Sequence, residues 1–139
     1  MPYLLDTCAW IDALLAPELL SQATIDIING PERLHLSTIS LLELARKEAL
    51  GKITLNMPCY EWLTSIAIPT GKIILIPMTP QIVVDATRLP GNFEKDGKPH
   101  KDPADQIITA TARLRNYTLL TSDQVLLDYA HVNTLLSRR

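Results

Sequence analysis

Four acids define the chemistry open to this chain. Asp6 closes a short apolar run, Glu43 lies inside an apolar helical stretch, Asp105 follows Asp102-Pro103-Ala104, and Asp123 comes just after another apolar run. In a wound α/β domain, strand ends and the N-termini of the following helices share one rim, where ligands bind. Asp6 and Asp123 leave strands at that rim, and Asp105 falls in the first turn of a helix. Glu43 lies within about two turns of a helix start, at a rise of about 1.5 Å per residue. Carboxylates gathered in this way repel one another unless a cation neutralises them or some hold protons. Hard oxygen donors, with no thiolates and no paired imidazoles, favour Mg²⁺ or Mn²⁺ over zinc. One or two such ions, about 4 Å apart when paired, activate a water and stabilise the leaving oxygen in phosphodiester hydrolysis.

Each acid also has a plainer explanation. Asp102, ahead of Pro103, is fully accounted for as a helix N-cap, and Asp105 suits the positive end of the helix dipole. Asp6 and Asp123 could each cap the helix that follows, Glu43 could pair with Lys47 one turn on, and Asp12 and Asp128 are most simply solvated. Convergence on one rim is what capping alone does not require. Glu43 is the most telling, because residues 39–45 otherwise read as a core-facing helix and an acid pointing inward needs a partner.

The elements that must position these groups follow from periodicity and punctuation. Strands are expected at 3–6, 34–36, 72–76, 117–121 and 132–135; the Lys-Ile-Ile-Leu-Ile run at 72–76 is the clearest buried strand. Helices are expected at 9–15, at 18–29 ending at Gly30-Pro31, and from a Ser37 or Thr38 cap to about Leu50 with Gly51 as the stop. Further helices are expected at 56–68, from Thr79-Pro80 to Leu89, from Asp102 onward, and at 124–129. Residues 92–101 read as a polar loop. The alternation implies an α/β fold with a short, mostly parallel sheet of four to five strands, helices on both faces and right-handed crossovers.

With 139 residues the chain has room for one domain, 1–139, and no segment approaches the apolar length of a membrane span. The N-terminus lacks the basic flank and long apolar region of a secretory signal, so a cytoplasmic protein is expected. Cys8 and Cys59 form no CxxC pair and are expected to be small buried hydrophobes. A net charge of -2 does not announce a nucleic-acid binder. The basic residues are nonetheless uneven: Lys95, Lys98, His100 and Lys101 share one loop, Arg113 and Arg115 follow, and Arg138-Arg139 come last. Such a rim tracks phosphates, although solvated surface is the simpler reading of each residue. His100 reads as a loop residue with no nucleophile pattern around it, and Trp10 and Trp62 read as core or interface.

Taken in order, Leu4-Leu5-Asp6-Thr7, the 39–45 stretch around Glu43, the 100–112 run containing Asp102-Pro103-Ala104-Asp105, and Leu120-Thr121-Ser122-Asp123 resemble a PIN-domain protein of the VapC toxin type. The resemblance spans essentially the whole chain, and the set of motifs carries it. It implies a three-layer α/β/α domain acting as a Mg²⁺- or Mn²⁺-dependent endoribonuclease. It further implies the toxin role in a type II toxin-antitoxin pair, a cognate VapB-like antitoxin, a homodimer, and products with a 5′-phosphate and a 3′-hydroxyl. The family's acids match Asp6, Glu43, Asp105 and Asp123; Thr7 and Thr121 match supporting hydroxyl positions, and Asp102 supports the helix start. Lys95, Lys98 and Lys101 are the candidate RNA contacts. Two positions depart from the pattern: Gln106 stands where Arg is common, and Leu42 where Trp is frequent.

Two other phosphoryl-transfer frames fit poorly. A haloacid-dehalogenase site wants a second Asp two residues after the first, where Cys8 stands, and a receiver domain wants its phosphoacceptor Asp after the third strand, where Met78 and Thr79 stand. The alternative that remains is a PIN-like module that binds metal, RNA or an antitoxin without cutting.

Overall fold

Strands that are apolar along their whole length must be covered on both faces, and that requirement shapes the computed structural model, which describes residues 2–70 and 73–139. In chain order its elements are β1 (Tyr3–Leu5), α1 (Thr7–Leu15), α2 (Gln22–Asn29), β2 (Leu34–Ser37), α3 (Ile39–Ala49), α4 (Cys59–Trp62) and β3 (Ile73–Ile76). There follow α5 (Pro80–Ala86), β4 (Glu94–Lys95), β5 (Lys98–Pro99), α6 (Pro103–Arg115), β6 (Thr118–Thr121), α7 (Gln124–Asp128) and β7 (Thr134–Leu136). Five strands form one parallel sheet in the order β3-β2-β1-β6-β7. Lys72, the first residue of the expected third strand, lies outside the described residues.

The register lines up a row of leucines. Leu5 pairs with Leu36 and with Leu120, Leu36 with Leu75, and Leu120 with Leu135. This row faces Ala9 and Trp10 of α1, Leu44 of α3 and Trp62 of α4. The alternate residues, Leu4 and Leu119, face Ile108 and Ala112 of α6 and Leu126 of α7, while Ile76 meets Ile82 and Ala86 of α5. Helices therefore cover both faces, giving three α/β/α layers. Each fully buried leucine removed from water contributes about 1.5–3 kcal/mol.

Three stretches differ from the sequence reading. The helix expected over 18–29 is broken: Pro17–Leu19 form a 3-10 turn, Leu20 bridges to Arg138, and Ser21 caps α2 by accepting from the Thr24 N–H. Tertiary pairing wins there, since Ser21 N–H donates to Ser137 O at 2.9 Å and Arg139 N–H to Leu19 O at 3.1 Å. The helix expected over 56–68 starts only at Cys59, because Pro58 disfavours helical backbone at the residue before it. It then continues as a π-helical segment, Leu63–Ala67. The polar loop contains the hairpin β4–β5, closed by Asp96 and Gly97 at φ 56° and 76°, the left-handed pair that a two-residue type I′ turn requires.

Two side chains expected elsewhere also move. Cys8 is exposed, because α1 turns Thr7, Ala9, Trp10 and Asp12 inward and leaves Cys8 outside; Cys59 is partly buried. Asp12 is buried instead of solvated, and Arg138 meets it with two bonds, from Nε at 2.8 Å and from a terminal nitrogen at 3.0 Å. A buried carboxylate left without its partner is costly, and the exposure of Arg138 softens that cost. Arg138→Ala is therefore expected to lower stability in urea unfolding by about 1–3 kcal/mol, with Asp12→Asn in the same background recovering part of it. An unchanged midpoint shows the pair to be idle.

Candidate functional site

Parallel register places the first two groups. Since Leu5 lies beside Leu120, the next residues along, Asp6 and Thr121, emerge together at the carboxyl edge of the sheet. Asp6 is buried: its Oδ1 accepts from the Ala9 N–H at 2.7 Å, capping α1, and its Oδ2 accepts from the Thr121 hydroxyl. Thr121 Oγ1 in turn accepts from the Asp123 N–H at 3.0 Å, and Asp123 Oδ1 caps α7 through the Val125 N–H at 2.9 Å. Asp102 caps α6 by accepting from the Asp105 N–H at 2.9 Å. Capping and convergence are thus not alternatives in this fold. A cap stands at a helix N-terminus, and in a parallel sheet those N-termini are the rim.

Asp105 sits in the first turn of α6 with its Oδ2 at 2.7 Å from His100 Nε2. Glu43 is partly buried on α3, where its Oε1 accepts from the Thr7 hydroxyl; Thr7 Oγ1 also lies 2.9 Å from the fully buried Ser40 hydroxyl. Ser40 and Glu43, three residues apart, share one helix face toward the start of α1.

The electrostatics distinguish the acids. Burial pushes Asp6 up to about 6, against the hydrogen bonds from Thr121 and Ala9, with the charges of Asp105 and Asp123 adding to the rise. Burial likewise pushes Asp105 up to about 6; the His100 hydrogen bond opposes the rise, and Asp102 and Asp123 add to it. Asp6, Asp105 and Asp123 therefore stand in one another's field, and Glu43 is hydrogen-bonded to Thr7, the residue after Asp6. Among the described residues no group of three or more His, Cys, Asp or Glu side chains is placed to hold a metal ion. The donor set still suits an oxygen-preferring divalent cation. Every site acid offers only oxygen, two of them are poorly accommodated as anions, and Asp105 Oδ1 has no protein donor among the described residues.

These shifts set a pH dependence. A carboxyl whose folded value is raised adds stability below its ordinary value, here 3.8, and that contribution is lost as pH rises through about 6. In EDTA, Asp105→Asn is expected to be more stable than the parent above pH 6, by on the order of 1–2 kcal/mol, with the gap closing toward pH 4. Parallel stability curves for the two proteins would remove the argument.

The remaining expected residues lie on the segment that leads into α6. Lys95 and Lys98 are exposed and face each other across the hairpin, and Lys101 is exposed beside His100. A cleft of about 340 Å³ between α3 and the start of α6 is lined by Glu43, Arg46, Lys47, Lys52 and Asp102. Arg46 and Lys52 in this cleft, and Ser40 beside Glu43, are neighbours of the site acids that the sequence reading did not single out, and His100, read there as a loop residue, turns onto Asp105. Ser40 was detectable as the helical neighbour of Glu43, and His100 by its place just ahead of the α6 cap.

Against this geometry stand the likenesses to known proteins. A family model for the PIN domain matches residues 3–132. The chain is 31% identical over 115 residues to Ribonuclease VapC22 of Mycobacterium tuberculosis, covering 83% of this chain and 82% of that protein. Its fold resembles the solved structure of VapBC2 from Rickettsia felis bound to a DNA fragment from their promoter, with a TM-score of 0.71 and 17% identity over 99% of both chains. It also resembles FitAcB from Neisseria gonorrhoeae, with a TM-score of 0.66 and 24% identity over 96% of both chains.

Proposed function

Because the chain belongs to the PIN-domain family, we propose that it is an endoribonuclease that hydrolyses RNA phosphodiester bonds with Mg²⁺ or Mn²⁺, serving as the toxin of a type II toxin-antitoxin pair. The observation that carries the reading is the hydrogen-bonded run from Asp6 through Thr121 to Asp123 at the carboxyl rim, with Asp105, from a third element, near enough for its charge to add to the rise of Asp6. The Mycobacterium tuberculosis relative is named a ribonuclease, and the Rickettsia felis structure is of VapBC2 on promoter DNA. A VapB-like antitoxin, a homodimer and a cytoplasmic setting complete the proposal.

Asp6, Asp105, Asp123 and Glu43 would hold the cation, and the chemistry supplied by a bound cation would be Lewis acidity toward water and charge neutralisation at the phosphate. The chain's own groups do the positioning. Thr121 and the Ala9 N–H fix Asp6, Thr7 and Ser40 fix Glu43, and the Asp6 carboxylate is kept out of bulk water. Lys95, Lys98 and Lys101 meet RNA phosphates from the exposed hairpin and the segment after it.

The test is to incubate antitoxin-free protein with total RNA in Mg²⁺, Mn²⁺ or EDTA and to map the cut ends. Metal-dependent cuts with 5′-phosphate ends support the reading. Intact RNA in every lane, from folded protein that binds Mn²⁺, favours a module that binds without cutting. Replacing Lys95, Lys98 and Lys101 together by Ala is expected to weaken RNA binding and to flatten its log-log salt dependence by about 0.7 per lost phosphate contact. An unchanged salt slope removes these lysines from the interface.

A further inference from the structure

The segment between α5 and α6 ends in a defined place because contacts hold it along its length. The Tyr129 hydroxyl donates to Pro90 O, and the Tyr129 ring meets Phe93 edge-on at 5.0 Å between centroids. Phe93 O accepts the His100 N–H at 2.8 Å, and the Phe93 ring lies tilted against the imidazole at 5.3 Å. Gln106 Nε2 donates to His100 O at 3.2 Å. His100 is therefore gripped at its backbone N–H, its carbonyl and its ring. Its Nε2 reaches Asp105 Oδ2 at 2.7 Å, in a spot where the imidazole is 13% exposed. An ionised carboxylate only accepts, so Nε2 carries the proton and donates.

We propose that His100 is a positioning residue: its Nε2–H···Oδ2 bond holds the Asp105 carboxylate in one orientation toward a divalent cation, with Phe93 and Gln106 as the frame that holds the imidazole. This rests on the reading of the acids as a cation site. A short acidic side chain in the first turn of a helix has several rotamers open to it, and only those aimed at the rim serve a cation. Partners that orient a ligating group are worth about 10–100-fold in metal affinity or activity. Gln106, which stands where Arg is common in the family pattern, acts on the His100 backbone and not on a carboxylate.

The experiment uses the full chain and Mn²⁺ alone as the probe, by calorimetric titration, beside RNA cleavage kinetics and melting curves. His100→Phe preserves ring packing on Phe93 and removes the donor. His100→Gln places an amide N–H where Nε2 stood. His100→Asn is polar but its amide is too short to reach, so it serves the same purpose should the Phe variant fail to fold. Expected for Phe and Asn is an Mn²⁺ Kd raised about 10–100-fold, with kcat reduced and the RNA KM unchanged. Gln is expected to return to within about 5-fold of the parent. A Phe or Asn variant that binds Mn²⁺ as the parent does, or a Gln variant as impaired as Phe, overturns the proposal. A parent that binds Mn²⁺ but cuts no RNA removes the nuclease reading and leaves the affinity comparison to decide this one; a parent that binds no Mn²⁺ overturns both.

Discussion

Asp105→Asn is expected to leave RNA uncut, with cleavage in Mg²⁺ or Mn²⁺ reduced by at least about 10³-fold in a protein that stays folded. Fold and activity separate here for local reasons. The substitution keeps the size of the side chain and an oxygen that accepts from His100, and the N-terminus of α6 is capped by Asp102, three residues earlier. What it removes is the negative charge that a cation would meet. Asp102→Asn makes the contrast, since Asn also caps helices well. Its effect is expected to stay within about 10-fold, because Asn keeps the cap and Asp102 is a supporting residue, whose loss costs no more than about 10–100-fold. The check is a cleavage rate on a mapped RNA site, with circular dichroism and Mn²⁺ affinity measured on the same preparations. Asp105→Asn activity within about 10-fold of the parent would remove Asp105 from the reacting centre, because loss of a group that stabilises transition-state charge costs about 10²–10³-fold.

The largest expected loss of stability lies one turn along α1. Trp10 is 1% exposed and packs with Leu5, Leu36, Leu44 and Leu120, its ring 6.4 Å from that of Trp62. Trp10→Ala is expected to cost about 3–5 kcal/mol, from lost transfer energy and the cavity left behind. Set against a typical total of about 5–15 kcal/mol, this brings the protein close to unfolding. Trp10→Phe should behave differently. It keeps a ring against Trp62 and removes an indole N–H that has no acceptor among the described residues, so its cost should be about 1–2 kcal/mol with cleavage retained. Urea midpoints for the two variants decide the matter. Equal losses would show that a phenyl ring recovers none of the packing that the wider indole supplies.

The mapping from sequence to structure succeeded mainly where a residue's neighbours in the chain set its environment. The short runs read as strands at 3–6, 34–36, 72–76 and 117–121 overlap β1, β2, β3 and β6, whose leucines and isoleucines are covered on both faces of the sheet. Asp102-Pro103 started α6 because capping oxygen, fixed φ and missing N–H all act within one turn. Asp6, Asp105 and Asp123 could be placed on one rim before any coordinate, since strand-to-helix connections in a parallel sheet all turn at the same edge. The Asp96-Gly97 hairpin carried a local signal too, but its flanks are two residues long and do not alternate, so the stretch read as loop.

What only the tertiary structure decided are the pairings made across the fold. Arg138 and Asp12 lie 126 residues apart, and nothing near Asp12 distinguishes a solvated acid from one buried under the last residues of the chain. The break before Ser21, the exposure of Cys8, the link from Ser40 through Thr7 to Glu43, and the turn of His100 onto Asp105 belong to the same class. The sequence by itself determined which residues are apolar, which capped start opens α6 and which acids leave strands, because those follow from short-range sterics, capping and periodicity. Strand order, helix rotation and the partner of each buried polar group depend on how separate elements fill shared space, and packing satisfies that condition only when the whole chain is in place.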